Sequence, residues 1–237
     1  MKTAQNSYQK EKGNFMKSFI STYKHMFVAA LYLPVYLIWF DYLEQHVQSQ
    51  YHVVTCSLDS MIPFNEWFII PYFLWFLLVP AMFLYLGFTS KPDFYRFVLF
   101  LFSGMTLYLI ICTVFPNGQN LRPSIDFEKN VLTRLMQFLW SVDTSTNVFP
   151  SIHAYNSIAV AIAAIRNEKL SAHPAVTYGI VILCILICMA TVSLKQHSVL
   201  DVLGAIIMAM FFYRLFYIRN PEEELDMVHI HAQNMYC

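Results

Sequence analysis

The sequence is poor in charge. Only 13% of its 237 residues are Asp, Glu, Lys or Arg, about half of the roughly 25% typical of a soluble domain, and an ordinary water-soluble fold is excluded. Acidic and basic residues balance at 15 each, so no basic surface favours a nucleic-acid partner. Cysteines number five, Cys56, Cys112, Cys184, Cys188 and Cys237. They sit singly or within apolar runs, and the Cys184/Cys188 pair shares a helix face without a further ligand, so packing is the expected role. No internal repeat, Gly/Ser linker or low-complexity tract divides the chain, and one domain over 1–237 is expected. The Lys-rich start is not followed by a short apolar stretch with a small-residue cleavage site, and no removable signal peptide is expected.

Apolar residues are abundant instead. They make up 57% of the chain, 17% being aromatic, and they come in blocks near the 20 or so residues that a bilayer core asks of a helix. Six blocks can be read, at 25–40, 68–88, 97–115, 152–170, 174–192 and 198–217. The expected fold is therefore all-α, a polytopic bundle of six transmembrane helices. The fourth block is the shortest, because its apolar part stops at Arg166; about 15 residues at 1.5 Å each reach only about 22 Å. It spans fully only if Arg166 and Lys169 reach up to the interface.

Positive charge orients the bundle. Lys2, Lys10, Lys12, Lys17 and Lys24 precede the first block, and the loop 41–67 has no Lys or Arg. Lys91 and Arg96 follow in a short second connection, with Arg166 and Lys169 in the fourth and Arg214 and Arg219 at the end. Both the segment 1–24 and the tail 218–237 are thus expected in the cytoplasm of a multi-pass cell-membrane protein. The first, third and fifth connections then share the extracytoplasmic side, where distant residues can converge.

Three polar clusters lie on that side. The first, 115–123, carries Arg122; the second, Asn147 to His153, opens the fourth block; the third, Ser193 to Asp201, opens the sixth. His197 and Asp201 are four apart on one helix face, so the carboxylate can orient the imidazole and leave its other nitrogen free as a nucleophile. Ser151, behind Pro150 at a helix start, suits an anion cradle of free amides and a hydroxyl. His153 lies one turn on, within reach of a proton-transfer role. Arg122 can neutralise phosphoryl oxygens through a planar fork, and Lys195 offers a second charge. Together these residues fill the roles of phosphoryl transfer.

Pro150-Ser151-Ile152-His153 and His197-x3-Asp201 resemble the second and third motifs of the type 2 phosphatidic acid phosphatase superfamily, and Arg122-Pro123 resembles the end of its first. The resemblance covers 115–204. It implies that His197 attacks phosphorus to give a phosphohistidine, with Asp201 orienting it. His153 would protonate the leaving oxygen and then deprotonate the acceptor. Arg122, Ser151 and Lys195 would hold the phosphate, with no metal or other cofactor. Two positions depart from the family pattern: Phe115 and Thr191 stand where basic residues are usual. The Lys195-Gln196-His197 form and Asp143-x3-Asn147 resemble the inositol-phosphorylceramide-synthase-like branch.

The expected function is metal-independent hydrolysis of a membrane lipid phosphate at the outer leaflet, with membrane lipids around it. Transfer of a phospho-head-group to another lipid's hydroxyl uses the same residues and is the alternative. A non-enzymatic lipid or ion carrier, which would favour midplane polar groups, and a pseudoenzyme, prompted by Phe115 and Thr191, are the readings of other classes. Asp143 and Asn147 are expected to shape their loop. His46, His52, Asp59 and Glu66 are expected in a solvated or interfacial loop. His229-Ile-His231 lacks a third ligand for a metal, and Glu222 to Asp226 reads as a solvated end.

Overall fold

The computed structural model describes residues 20–46 and 50–218. Most of the Lys-rich amino-terminal segment, the acidic run 222–226, His229, His231 and Cys237 lie outside the described residues. Helix follows the apolar blocks closely. Helix α1 covers Ile20–His46; Pro34 offers no N–H to the carbonyl four residues back, and the helix loosens to a turn at Leu31. The short helix α2 covers Ser57–Met61, α3 covers Ile69–Thr89 and α4 covers Lys91–Val114. The connection between them is a single residue, Ser90, so Lys91 and Arg96 belong to helix α4 and not to a loop. Ser90 caps α4 by accepting from Asp93 N, and Pro92 suits the first turn.

After α4 come helix α5, Val131–Val142, and helix α6, Ile152–Arg166. The short α7, Glu168–Ser171, leads into α8, Pro174–Ser193, and α9, Val199–Tyr217, completes the described chain. Among the described residues, five helices are long and apolar enough to cross a membrane: α1, the Glu66–Thr89 helix ending in α3, α4, α8 and α9. The expected fourth crossing falls short. Asn167 caps the next helix by accepting from Leu170 N, and this breaks the block 152–170 into α6, of 15 residues, and α7.

Helix α6 is nonetheless the centre of the bundle, packed by α3, α4, α8 and α9. Its buried side chains are mostly small, Ala154, Ala159, Ala163 and Ala164 among them, which lets neighbouring backbones approach closely. Tyr155 is the largest of them. Its ring stacks on Phe100 at 5.1 Å, its hydroxyl donates to Phe100 O at 2.7 Å, and it fills the space over Gly104 of α4. The outer faces of the long helices leave Ile38, Leu77, Ile182, Ile207 and Phe211 exposed. A continuous apolar surface of this kind is what a lipid environment requires.

The carboxy-terminal ends of α1, α4 and α8 meet the amino-terminal ends of α3, α6 and α9 at one end of the bundle. The connections there are tied to one another. Strand β1, His52–Val53, pairs in parallel with β2, Asn117–Gly118, in the register His52 to Asn117, and Gly118 also bridges to Thr146. Helix α5 lies across this end, with Met136 and Leu139 packed on Ile69, Tyr72, Ala190 and Leu194. Helix α5 is not among the six apolar blocks, because its apolar residues form one stripe and not a 20-residue run.

Candidate active site

The two signature histidines come from different helices and meet. His153 stands on the first turn of α6, and His197 lies just before α9. His197 Nε2 is 3.4 Å from His153 Nδ1. The other nitrogen of His197, Nδ1, is 3.0 Å from Val148 O and 3.4 Å from Asp201 Oδ2. A carbonyl oxygen only accepts, so Nδ1 carries the hydrogen and the lone pair sits on Nε2. His153 is flanked by the rings of Tyr72 and Trp75 of α3, at 4.7 and 4.5 Å between centroids.

Local sequence explains how His197 is aimed. Lys195 takes a left-handed backbone (φ 59°), which turns the chain so that Gln196 N and His197 N both donate to Thr191 O at 3.0 Å. Ser198 then caps α9, its hydroxyl accepting from Leu200 N while Asp201 Oδ2 accepts from Ser198 N at 2.8 Å. Asp201 therefore serves both the helix start and the imidazole. Its Oδ1 is buried with no partner.

Val148, which supplies the carbonyl, is held in turn. Asn117 Oδ1 accepts from Val148 N and Phe149 N at 2.9 and 2.7 Å. Asn147, also left-handed (φ 54°), donates from Nδ2 to Glu44 of α1 at 2.7 Å, and its own carbonyl accepts from Tyr108 OH at 2.6 Å. The left-handed conformation suits Asn better than most residues. Asn147 thus shapes the loop, as its place before the motif leads one to expect. Asp143 Oδ2 accepts from Tyr72 OH at 2.8 Å. Burial pushes the Asp143 carboxyl above the usual range, and the Tyr72 hydrogen bond offsets part of that rise.

Arg122 joins the same end of the bundle. Nη2 donates to Asp143 O, Thr144 O and Gln196 Oε1 at 2.6, 2.8 and 2.6 Å, and the guanidinium lies over the Trp140 ring at 5.4 Å. Ser151 caps α6 by accepting from Ala154 N, and its own N–H donates to Asp201 O at 3.0 Å. Lys195 takes a different part from the one its sequence position suggests. Its Nζ donates to Asp59 O at 2.6 Å and to Ile62 O, so the ammonium is engaged by the first connection and not presented as a free cation.

Asp59 corrects the reading of that connection as solvated. It is 1% exposed. Oδ2 accepts from Ser198 Oγ and Cys56 N at 2.7 Å each, and Oδ1 accepts from Val199 N at 2.8 Å. Burial pushes its carboxyl up, but the bonds from Val199, Cys56 and Ser198 outweigh burial and hold it below the ordinary value. A carboxylate at the start of α9 also suits the helix dipole. The other three residues of the group behave differently: Glu66 pairs with Lys129, His52 stacks on Phe115 at 4.5 Å, and His46 bonds the Tyr42 carbonyl.

One comparison with known proteins finds a family. The family model described as PAP2 superfamily matches residues 96–224, more than half of the chain. No curated protein and no solved structure matches it.

Proposed function

Because the chain belongs to the PAP2 superfamily, whose members are phosphatases and phosphotransferases, we propose that it hydrolyses a membrane lipid phosphate through a phosphohistidine on His197. The observation that carries this reading is the His197 geometry: Nδ1 bound to Val148 O and near Asp201, Nε2 unprotonated and facing His153. Nε2 attacks phosphorus, and the bond to the lipid oxygen breaks as His153 delivers a proton to it. Water, deprotonated by His153, then cleaves the phosphorus–nitrogen bond and releases phosphate. The 3.4 Å gap leaves no room for a phosphoryl group between the two rings, so substrate binding must part them. Arg122 and the amino-terminal end of α6 at Ser151 hold the phosphoryl oxygens. The guanidinium and the helix dipole supply this positive charge, and the reaction proceeds without metal.

The membrane placement belongs to the same proposal. Helix α6 makes a sixth crossing, with Arg166 and Lys169 reaching to the interface, and both chain ends face the cytoplasm of a cell-membrane protein. The charge distribution supports an extracytoplasmic site. A second reading, transfer of a phospho-head-group to a lipid hydroxyl, is favoured by Lys195-Gln196-His197 and Asp143-x3-Asn147, which resemble the inositol-phosphorylceramide-synthase-like branch.

Phosphate release from a panel of lipid phosphates, measured with purified protein in EDTA beside His197→Ala, tests the proposal. Release that survives EDTA and disappears in the variant is expected. Release abolished by EDTA, or retained in the variant, overturns the mechanism. Turnover only with an added acceptor lipid selects the second reading.

A further inference from the structure

Gln196, between Lys195 and His197, has a side chain with a defined direction and an unmet need. It is 2% exposed. Its Oε1 lies 2.6 Å from Arg122 Nη2. A guanidinium donates and never accepts, so the amide oxygen must face it and the amide nitrogen must face elsewhere. That nitrogen, Nε2, is buried and has no partner; Arg122 Nε, on the other residue of this contact, is likewise buried and unpartnered. Buried donors in folded proteins are almost always satisfied. Here two of them sit on adjoining side chains, one on the residue just before His197 and the other on the cation of the site.

The geometry points to Gln196 as a phosphate-binding residue, whose Nε2 and Arg122 Nε together take a non-bridging oxygen of the phosphoryl group that His197 attacks. This rests on the phosphoryl-transfer reading and adds a ligand to it. A neutral amide in the turn before the nucleophile complements the guanidinium without repelling it, as a second cation would. With Lys195 held by Asp59 O and Ile62 O, the adjacent Gln196 is the residue of this turn that presents an unused donor. A water molecule is the competing occupant, since it too accepts from two donors.

Inorganic phosphate is the probe. The full chain is purified in detergent, and phosphate affinity is measured for wild type, Gln196→Glu and Gln196→Met. Gln196→Glu keeps the oxygen that Arg122 requires and replaces the donor by an acceptor; Gln196→Met removes both. Both variants are expected to bind phosphate about tenfold to a hundredfold more weakly, the range of one hydrogen bond to a charged group. In protein labelled with 15N-glutamine, the side-chain amide signals missing from Gln196→Glu should move as phosphate is added. Amide signals that stay fixed, or a Gln196→Met affinity within about twofold of wild type, overturn the assignment, and the amide then holds water or only steadies Arg122. The labelled wild type decides the question even if Gln196→Met does not fold. Lipid-phosphate hydrolysis with fixed amide signals would remove Gln196 alone; moving signals without turnover on any lipid would remove the enzymatic reading and leave the anion site.

Discussion

Val148 presents its carbonyl oxygen 3.0 Å from His197 Nδ1, nearer than the 3.4 Å that separates the same nitrogen from Asp201 Oδ2. A backbone group, positioned by Asn117 through the two adjacent amides, therefore fixes the tautomer. Asp201 is left with a different task. In the proposed mechanism it would supply the negative charge that the ring needs once Nε2 has bonded to phosphorus and the imidazole has become cationic.

Asp201→Asn separates these two tasks. The Val148 contact keeps the tautomer, and the amide oxygen can still accept from Ser198 N. Only the charge is lost. We expect kcat to fall about tenfold to a hundredfold, the range of one charge-assisted hydrogen bond, with little change in Tm. Asp201→Ala should lose more activity and also melt lower, because Ser198 N loses its acceptor. An Asp201→Asn variant as inactive as His197→Ala would return the tautomer to Asp201.

Asp59 should make stability pH-dependent. Its carboxyl is held below the unfolded value of about 3.9 by Val199, Cys56 and Ser198, against the upward push of burial. The stabilisation is therefore present above that pH and is lost as pH falls through the folded value. Asp59→Asn is expected to cost about 1.5–3 kcal/mol at neutral pH. The gap in Tm between wild type and variant should close as pH drops below about 4. A gap of constant size down to pH 3 or so would show that the carboxylate charge is not what holds the first connection to α9.

Two glycines of similar appearance should respond in opposite ways. A Cβ on Gly104 would run into the Tyr155 ring at the crossing of α4 and α6, whereas one on Gly179 of α8 meets nothing within 4 Å. Gly104→Ala should destabilise by about 1–3 kcal/mol through overpacking, and Tyr155→Leu in the same chain should restore part of the loss. Gly179→Ala should be neutral or stabilise by up to about 1 kcal/mol. Thermal unfolding in one detergent checks both. Equal effects would mean that α4 and α6 can separate at small cost.

Chemistry that follows from block length, spacing or sidedness is legible in the sequence; contacts set only by the folded chain are not. Long apolar blocks announce the helices, since a bilayer leaves few alternatives, and His197 with Asp201 can be paired from an i, i+4 spacing alone. The meeting of His153 with His197, 44 residues apart, was reachable through sidedness, because alternation of crossings brings the two clusters together. The destination of Asp59 was not. Its partners Ser198 and Val199 are 139 and 140 residues away, and no periodicity encodes that contact. Lys195 misled for a related reason: its charge is visible in the sequence, but its left-handed backbone and the carbonyls that engage it are not. The block at 152–170 promised a full span, and the cap at Asn167 divided it, a cue that Asn-Glu after Arg166 already carried.

Arg122 is the residue whose shape should matter as much as its charge. Nη2 bridges Asp143 O, Thr144 O and Gln196 Oε1, and the planar group lies over Trp140 at 5.4 Å. A lysine carries the charge but cannot lie as a plane over Trp140 or hold Trp140 O with a second nitrogen, as Nη1 does at 3.4 Å. Arg122→Lys should therefore lose about tenfold to a hundredfold in kcat/KM, as expected for one or two charge-assisted bonds. Arg122→Ala should lose more and melt lower, because the Asp143 and Thr144 carbonyls lose their donor. Kinetics on the preferred lipid phosphate, with Tm for each variant, separate the possibilities. If Arg122→Lys keeps most of the wild-type kcat/KM while Arg122→Ala does not, charge alone suffices and the bridge between the 140–144 segment and Gln196 is dispensable. If both fall and only Arg122→Ala melts lower, the fork serves catalysis beyond its part in holding the loop.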